Sequence, residues 1–132
     1  MGGLFMSRSD IKFQKFEKAL CALEAIYLKP MQEDRSNVDA TIQRFEFTFE
    51  LAWKFLKDYF FERGRDLNYP KEILQEAFYV KLINNEDIWL NMLRDRNRTS
   101  HTYDEKLADE IFMKIPSYVP EFRSLLNNIQ SS

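Results

Sequence analysis

The chain has 132 residues, enough for one domain with a buried core, and 45% of them are hydrophobic, which excludes a disordered polymer. Its formal net charge of -2 argues against a protein that coats nucleic acid, although a small local basic site is compatible with that charge. One cysteine and one histidine exclude an intrachain disulfide and a structural zinc site, and they suit the reducing cytoplasm, where we expect the protein to act.

Residues 1–9, "MGGLFMSRS", are predicted to form a loose lead-in, and residues 10–130 a single helical domain. The lead-in lacks the long apolar segment of a signal peptide. No apolar run approaches the roughly 18 residues that cross a bilayer, so we expect no membrane span.

The first predicted helix covers "DIKFQKFEKALCALEAIYL", residues 10–28, with Ser9 or Asp10 placed to cap it. Its apolar side chains recur at steps of three and four residues, as on one face of a helix: Phe13, Phe16, Leu20, Leu23 and Tyr27. The loop "KPMQEDRSN" follows, and Ser36 or Asn37 is placed to cap the next helix.

The second predicted helix has an unbroken heptad-like seam, which favours near-parallel packing in a bundle: Val38, Ile42, Phe45, Phe49, Ala52, Leu56 and Tyr59. Further apolar residues lie off the seam: Phe47, Leu51, Trp53, Phe55 and Phe60. This apolar arc is too wide for one neighbour, so the helix is either central or in contact with a second subunit. Gly64 marks its expected end.

Pro70 begins a third, shorter helix that is predicted to extend to Leu82, and "NNED" separates it from a fourth around Ile88–Leu93. Thr102 and Glu105 form a predicted capping box for a fifth helix, in which Pro116 and Pro120 indicate a kink or a short break. No strand-like alternation competes. The prediction is an all-α fold, an up-and-down four-helix bundle with an additional short helix.

The segment "RDRNRTSHTY", residues 94–103, joins the fourth and fifth helices and holds three arginines and the only histidine. On this prediction His101 precedes the helix cap and Tyr103 is the first helical residue. The free N–H groups at the start of the fifth helix are then expected to favour an anion beside these side chains.

Arg96, His101 and Tyr103 match the Arg-x4-His-x-Tyr motif of HEPN-domain proteins, and Asn97 follows the arginine as in their patterns. The chain most resembles the HepT-like branch, also described as nucleotidyltransferase substrate-binding proteins. "RFEFTFELAWKFLKDYF" resembles the second helix of that branch, and "PKEILQEAF" and "WLNMLRDRNRTSHTYDE" resemble its third and fourth. The resemblance covers roughly residues 10–130. One departure is Val80-Lys81, where the branch tends to have a small residue or glycine before "LI".

The resemblance implies a HEPN-like homodimer without a cofactor, encoded beside a minimal nucleotidyltransferase. In one interpretation the HEPN chain is the metal-independent ribonuclease toxin of a toxin–antitoxin pair, and the transferase neutralises it by attaching AMP to the motif tyrosine, here Tyr103. In the other, the HEPN chain is a noncatalytic subunit that binds a nucleotide or another substrate for the transferase.

The motif residues suit cleavage of RNA by its own 2′-hydroxyl. Imidazole titrates near neutrality and can act as the base or the acid, and a guanidinium matches the geometry and charge of a phosphate. His101 and Arg96 are therefore the candidate catalytic residues, and Asn97 is placed to orient the imidazole or bind phosphate. Since one histidine cannot readily be both base and acid, we expect a dimer to bring two His101 side chains into one cleft.

Each feature also has a purely structural interpretation. His101 could be a surface or capping residue, and Tyr103 a packing residue rather than a modified or substrate-contacting one. Arg94 and Arg98 are expected to be solvated or to steer phosphate, with Asp95 paired to one of them. Glu46 and Glu50, one turn apart, are expected on a solvated face rather than at a metal ion.

The two functional interpretations remain open on the sequence. The intact set of arginine, histidine and tyrosine favours the ribonuclease, because a scaffold has no need of all three. The acidic charge balance and the lack of a long basic groove favour the binding subunit.

Overall fold

Five α-helices and a short 3₁₀ helix make up the computed structural model, which describes residues 6–132. They are α1 (Arg8–Glu24), α2 (Ser36–Phe61), α3 (Pro70–Tyr79), α4 (Glu86–Arg98), the 3₁₀ helix (Thr99–His101) and α5 (Glu105–Ser131). No strand occurs within residues 6–132, which confirms the all-α prediction. The first five residues of the predicted lead-in lie outside the described part of the chain.

Helix α2 is the central element, because it packs against each of the other four α-helices. Its predicted seam is buried except for Tyr59, which is half-buried, and Phe55 and Phe60 beside the seam are buried as well. Phe47 and Phe61 are the exposed aromatic residues of this helix, with 57% and 61% of their surfaces exposed. The wide apolar arc is thus used mostly within one chain, and Phe47 remains outside the core.

Contacts between helix ends give the directions of the main helices. Lys12 near the start of α1 pairs with Asp58 near the end of α2 at 2.9 Å, while Arg44 donates to the Ala22 carbonyl at the other end, so α1 and α2 are antiparallel. Trp89 packs on Phe122 and Arg98 pairs with Glu110, so α4 and α5 are antiparallel too. These pairings confirm the up-and-down bundle.

Trp89 anchors α4 in the core. Its side chain is fully buried, with ring centroids 6.3 Å from Phe49 of α2 and 5.3 Å from Phe122 of α5. An aromatic side chain of this size buries enough apolar surface to hold the helix firmly. The α4 residues that follow Trp89, including the arginine cluster, are therefore held in a fixed position relative to the core.

Several predicted helix ends are wrong in detail. Ser7, rather than Ser9 or Asp10, caps α1, and Asp10 completes a capping box with it. Neither Ser36 nor Asn37 caps α2: Arg35 precedes the helix with a φ of 61°, and the Asn37 side chain bonds the backbone of the preceding loop. Helix α1 ends at Glu24, four residues before the predicted end at Leu28, and residues 25–28 form turns instead.

Helix α5 continues through Pro116 and Pro120, so the predicted short break is absent. The apolar face of this long helix is buried along its whole length, and that burial outweighs the two missing backbone donors. The end of α2 agrees with the prediction from Gly64, which has a φ of 84° and lets the Arg65 N–H bond the Phe60 carbonyl at 2.8 Å.

The end of α3 has the same geometry without a glycine. Lys81 has a φ of 67°, and the Leu82 N–H bonds the Ala77 carbonyl at 2.8 Å. This is the position at which the chain departs from the HepT-like pattern. A lysine in the left-handed region costs about 1–2 kcal/mol because its Cβ crowds the backbone.

Lys81→Gly is therefore expected to raise the free energy of unfolding by up to about 1 kcal/mol, since glycine removes this strain but loses more entropy on folding. Urea denaturation measures the change. Val80→Gly is the matched control: Val80 has a φ of -90°, so glycine there should lower stability. Equal destabilisation by both substitutions would contradict the account.

Candidate functional site

The arginine cluster and the histidine lie where α4 passes into the 3₁₀ helix. Arg94, Arg96 and Arg98 belong to the last turns of α4, and His101 is the last residue of the 3₁₀ helix. The predicted capping box is wrong: Thr102 donates to the Thr99 carbonyl instead, and Asp104 caps α5. Tyr103 consequently lies in the turn before α5 and not in its first turn.

The start of α5 is not open to an external anion in the way the sequence indicated. The Asp104 carboxylate accepts hydrogen bonds from the N–H groups of Lys106 and Leu107, at 3.0 and 3.4 Å. A carboxylate at a helix N-terminus satisfies the same groups that a phosphate would use. Anion binding at this site therefore depends on side chains.

Arg96 is held against α2 by Glu50. Its Nε donates to Glu50 Oε1 at 2.7 Å, and Lys54 Nζ lies 3.4 Å from Glu50 Oε2. Among residues 6–132, neither terminal nitrogen of Arg96 has a hydrogen-bond partner, and the side chain is 28% exposed. This contact through Nε orients the guanidinium and leaves its two terminal nitrogens to bind a phosphate.

A buried carboxylate connects the same turn of α4 to α5. Asp95 is fully buried and accepts a hydrogen bond from Tyr118 Oη of α5 at 2.5 Å, with Arg98 and Lys114 at 3.3 and 3.5 Å. The predicted pairing of Asp95 with a neighbouring arginine is confirmed for Arg98. Burial, together with this hydrogen bond, raises the pKa of Tyr118 well above its usual value, so Tyr118 stays a donor to Asp95.

Arg94, Asn97 and Arg98 line a shallow groove of about 420 Å³ over Leu90 and Leu93, with Lys71 at its rim. Arg94 also donates to Asn91 at 2.8 Å, and Arg98 reaches Glu110 at 3.3 Å. Asn97 is exposed in this groove and has no hydrogen bond to His101 within the described chain. Its predicted role in orienting the imidazole stays a prediction.

His101 and Tyr103 present their rings to solvent. The two rings meet edge to face with centroids 6.0 Å apart, and Tyr103 is 84% exposed. A single chain therefore displays the motif on its surface rather than enclosing it. The exposed Tyr103 does not act as a core packing residue.

Sequence reasoning missed two residues that support the site, Glu50 and Tyr118. Glu50 was expected on a solvated face, but it pairs with Arg96, from which it is 46 positions distant in the chain. Only its i,i+4 relation to Lys54 was visible beforehand. The contact between Tyr118 and Asp95 also joins distant elements, and Tyr118 had been recognised only as an apolar position of the fifth helix.

Residues 6–132 contain no group of three or more histidine, cysteine, aspartate or glutamate side chains arranged to hold a metal ion. None of the helices in this part of the chain has the length and apolar character that a membrane span requires.

Comparison with known proteins gives consistent matches. The family described as "Nucleotidyltransferase substrate binding protein like" matches residues 11–131. A Haemophilus influenzae protein named "Probable ribonuclease HepT" is 32% identical over 98 residues, which cover 70% of this chain and 67% of that protein.

Two solved structures are similar as well. A protein from Thermus thermophilus is 37% identical, with a TM-score of 0.78 over 85% of this chain and 96% of that one. A Haemophilus influenzae protein, described as revealing the fold of a substrate binding domain of a nucleotidyltransferase, is 27% identical. Its TM-score is 0.69, over 92% of this chain and 96% of that one.

Proposed function

Because this chain belongs to the nucleotidyltransferase substrate binding protein-like family, we propose that it is a HepT-like ribonuclease toxin, controlled by a minimal nucleotidyltransferase encoded nearby. The relative named a probable ribonuclease supports this activity. The observation that carries the proposal is the arrangement of the motif: Glu50 holds Arg96 through Nε, both terminal nitrogens of Arg96 have no partner among residues 6–132, and His101 is open to solvent. Its place of action is the cytoplasm.

The reaction is transfer of the phosphoryl group to the neighbouring 2′-hydroxyl. One His101 removes the 2′-hydroxyl proton while the oxygen bonds to phosphorus, and Arg96 neutralises the charge that develops on the phosphate. The bond from phosphorus to the 5′-oxygen breaks, and a protonated second His101 gives that oxygen a proton. The products are a 2′,3′-cyclic phosphate and a 5′-hydroxyl.

Two histidines in one cleft require a homodimer. Phe47 supports this assembly, because it is exposed on α2 one turn from Glu50 and therefore beside the motif. We expect light scattering to give the mass of a dimer at micromolar concentration, and Phe47→Glu to give a monomer. Tyr79→Glu, at an exposed aromatic residue of α3, is the control and should stay dimeric. A monomeric wild-type chain would contradict the shared cleft.

Cleavage is expected to survive EDTA, since the guanidinium and the imidazoles supply the positive charge and the proton transfers. The purified chain should convert a short oligoribonucleotide to cyclic-phosphate products at an unchanged rate when divalent ions are chelated. Loss of cleavage in EDTA, with recovery on adding magnesium, means that the reaction class is wrong.

The second candidate function is a noncatalytic subunit that binds a nucleotide or another substrate for the transferase. The family description and that of the 27%-identical structure, both of which refer to substrate binding, favour it. The same assay separates the two functions: a chain that binds an oligonucleotide without cleaving it, with or without metal, is a binding subunit.

A further inference from the structure

A pocket of about 360 Å³ lies between the second half of α2 and the start of α1. The α2 residues Trp53, Lys57 and Phe61 line it at intervals of four, which places them on one face of the helix. Arg8 of α1 and the loop residues Asp66 and Asn68 also line the pocket. The pocket thus combines aromatic rings, positive charge and hydrogen-bonding groups.

The aromatic side chains that line the pocket are not fully buried in the core. Phe61 is 61% exposed, and Trp53 is only partly buried, with Lys54 Nζ 5.9 Å from the centroid of its ring. Exposed aromatic faces next to cations are the platforms on which single-stranded nucleic acids stack their bases. Two such rings on one helix face suit a planar ligand.

The charge of the pocket suits an anion. Lys12 is neutralised by Asp58 at 2.9 Å, but Lys57 and Arg8 take part in no ion pair within the described part of the chain. Both are therefore available to a phosphate. Asp66 and Asn68 add a carboxylate and an amide, which can hydrogen-bond the edge of a base.

The pocket is connected to the motif through a single carboxylate. Lys54, which lines the pocket, and Arg96, which belongs to the motif, both bond Glu50, at 3.4 and 2.7 Å. A phosphate at Arg96 and a nucleotide in the pocket would therefore be near neighbours along one strand.

We propose that this pocket binds one nucleotide of a single-stranded RNA, adjacent to the phosphate that Arg96 holds. The base stacks on Phe61 and Trp53, and the phosphate meets Lys57 and Arg8. The inference rests on the proposed ribonuclease function for its choice of RNA over a free nucleotide, which has the same chemistry, and the two ligands are compared directly.

Tryptophan fluorescence reports binding, because the chain has two tryptophans and Trp89 is fully buried, so a stacked base should quench Trp53. One probe is a short oligoribonucleotide with 2′-O-methyl groups, which lacks the attacking hydroxyl and so separates binding from cleavage. The other probe is AMP. We expect both to quench, and the oligonucleotide to bind more tightly because it also reaches Arg96.

Phe61→Ala is expected to weaken oligonucleotide binding about 5- to 150-fold, the range for losing one stacked base. Lys57→Gln should weaken it and reduce the slope of log affinity against log salt by about 0.7, the value for one phosphate contact on a single strand. The controls Tyr79→Ala and Lys18→Gln change an exposed aromatic residue and an exposed lysine elsewhere and should bind as the wild type does.

The absence of quenching by both probes overturns the proposal, as do Phe61→Ala and Lys57→Gln proteins that bind as tightly as the wild type. If AMP binds in a pocket-dependent way and the oligonucleotide does not displace it, the site belongs to a free nucleotide and the RNA path is wrong. If oligonucleotide binding depends on the pocket but unmodified RNA is never cleaved, the inference stands and the ribonuclease proposal fails.

Discussion

Replacing His101 with alanine is expected to lower the rate of RNA cleavage by about 10²–10⁴-fold, the usual loss when a general acid or base is removed. The same change should abolish growth arrest when the chain is expressed alone. Because the His101 side chain is exposed, the variant should unfold at nearly the same temperature as the wild type. Ser100→Ala, an exposed neighbour in the same 3₁₀ helix, is the matched control and should remain active.

A heterodimer tests whether the two histidines work in one cleft. The heterodimer has one wild-type chain and one His101→Ala chain, and it can be purified through a different tag on each chain. It should be nearly as inactive as the dimer in which both chains carry His101→Ala, because either the base or the acid is missing. About half of the wild-type activity in the heterodimer would mean that each chain has a complete site. Full activity of the His101→Ala homodimer would remove the histidine from the mechanism altogether.

The helices themselves were predictable because their signal is repetitive. The seam of α2 has seven apolar positions, and a single misjudged residue does not change the periodicity. The motif was equally visible, because Arg96, His101 and Tyr103 are close in the sequence and the flanking segments resemble one family. Local and periodic information was therefore enough to predict the fold and to select a candidate site.

Helix ends were harder, because several nearby residues can cap the same helix. Ser7 and Ser9 have the same side chain two residues apart, and the full capping box with Asp10 decides between them. At α5, Thr102 and Glu105 have the capping-box spacing, but the 3₁₀ helix carries the chain further and Asp104 becomes the cap. That shift moved Tyr103 out of the helix and closed the proposed anion site at its start.

The support of Arg96 could not be predicted, because it depends on how α2 packs against α4. Glu50 and Glu46 look alike in the sequence, and only the rotation of α2 in the bundle brings Glu50 to the guanidinium. The buried Asp95 is another example, since a carboxylate in an arginine cluster gives no sign that a tyrosine of α5 will reach it. Contacts between distant elements depend on how the helices pack. The periodicity of the sequence shows which face of a helix is buried, but not which residues of two helices meet.

Control of the proposed toxin is expected to act through Tyr103. Its hydroxyl is exposed, and its ring meets His101 edge to face with centroids 6.0 Å apart. In the proposed modification the tyrosine oxygen bonds to the α-phosphorus of ATP, pyrophosphate leaves, and the phenolic proton is released. The attached AMP would lie against the imidazole and bring a negative phosphate to the motif, where it would compete with the RNA phosphate. Because Asp104 occupies the amides at the start of α5, these side chains alone must hold the AMP group.

Tyr103→Phe is therefore expected to keep most of the toxicity of the chain and to escape neutralisation by the cognate transferase. The phenylalanine ring preserves the contact with His101, and only the oxygen that accepts AMP is lost. Co-expression with the transferase should restore growth for the wild type and for Tyr79→Phe, the control at another exposed tyrosine, but not for Tyr103→Phe. Mass spectrometry should find one AMP unit on the two rescued chains and none on the third. Full rescue of the Tyr103→Phe strain would mean that the transferase neutralises the toxin by binding it, without modifying this residue.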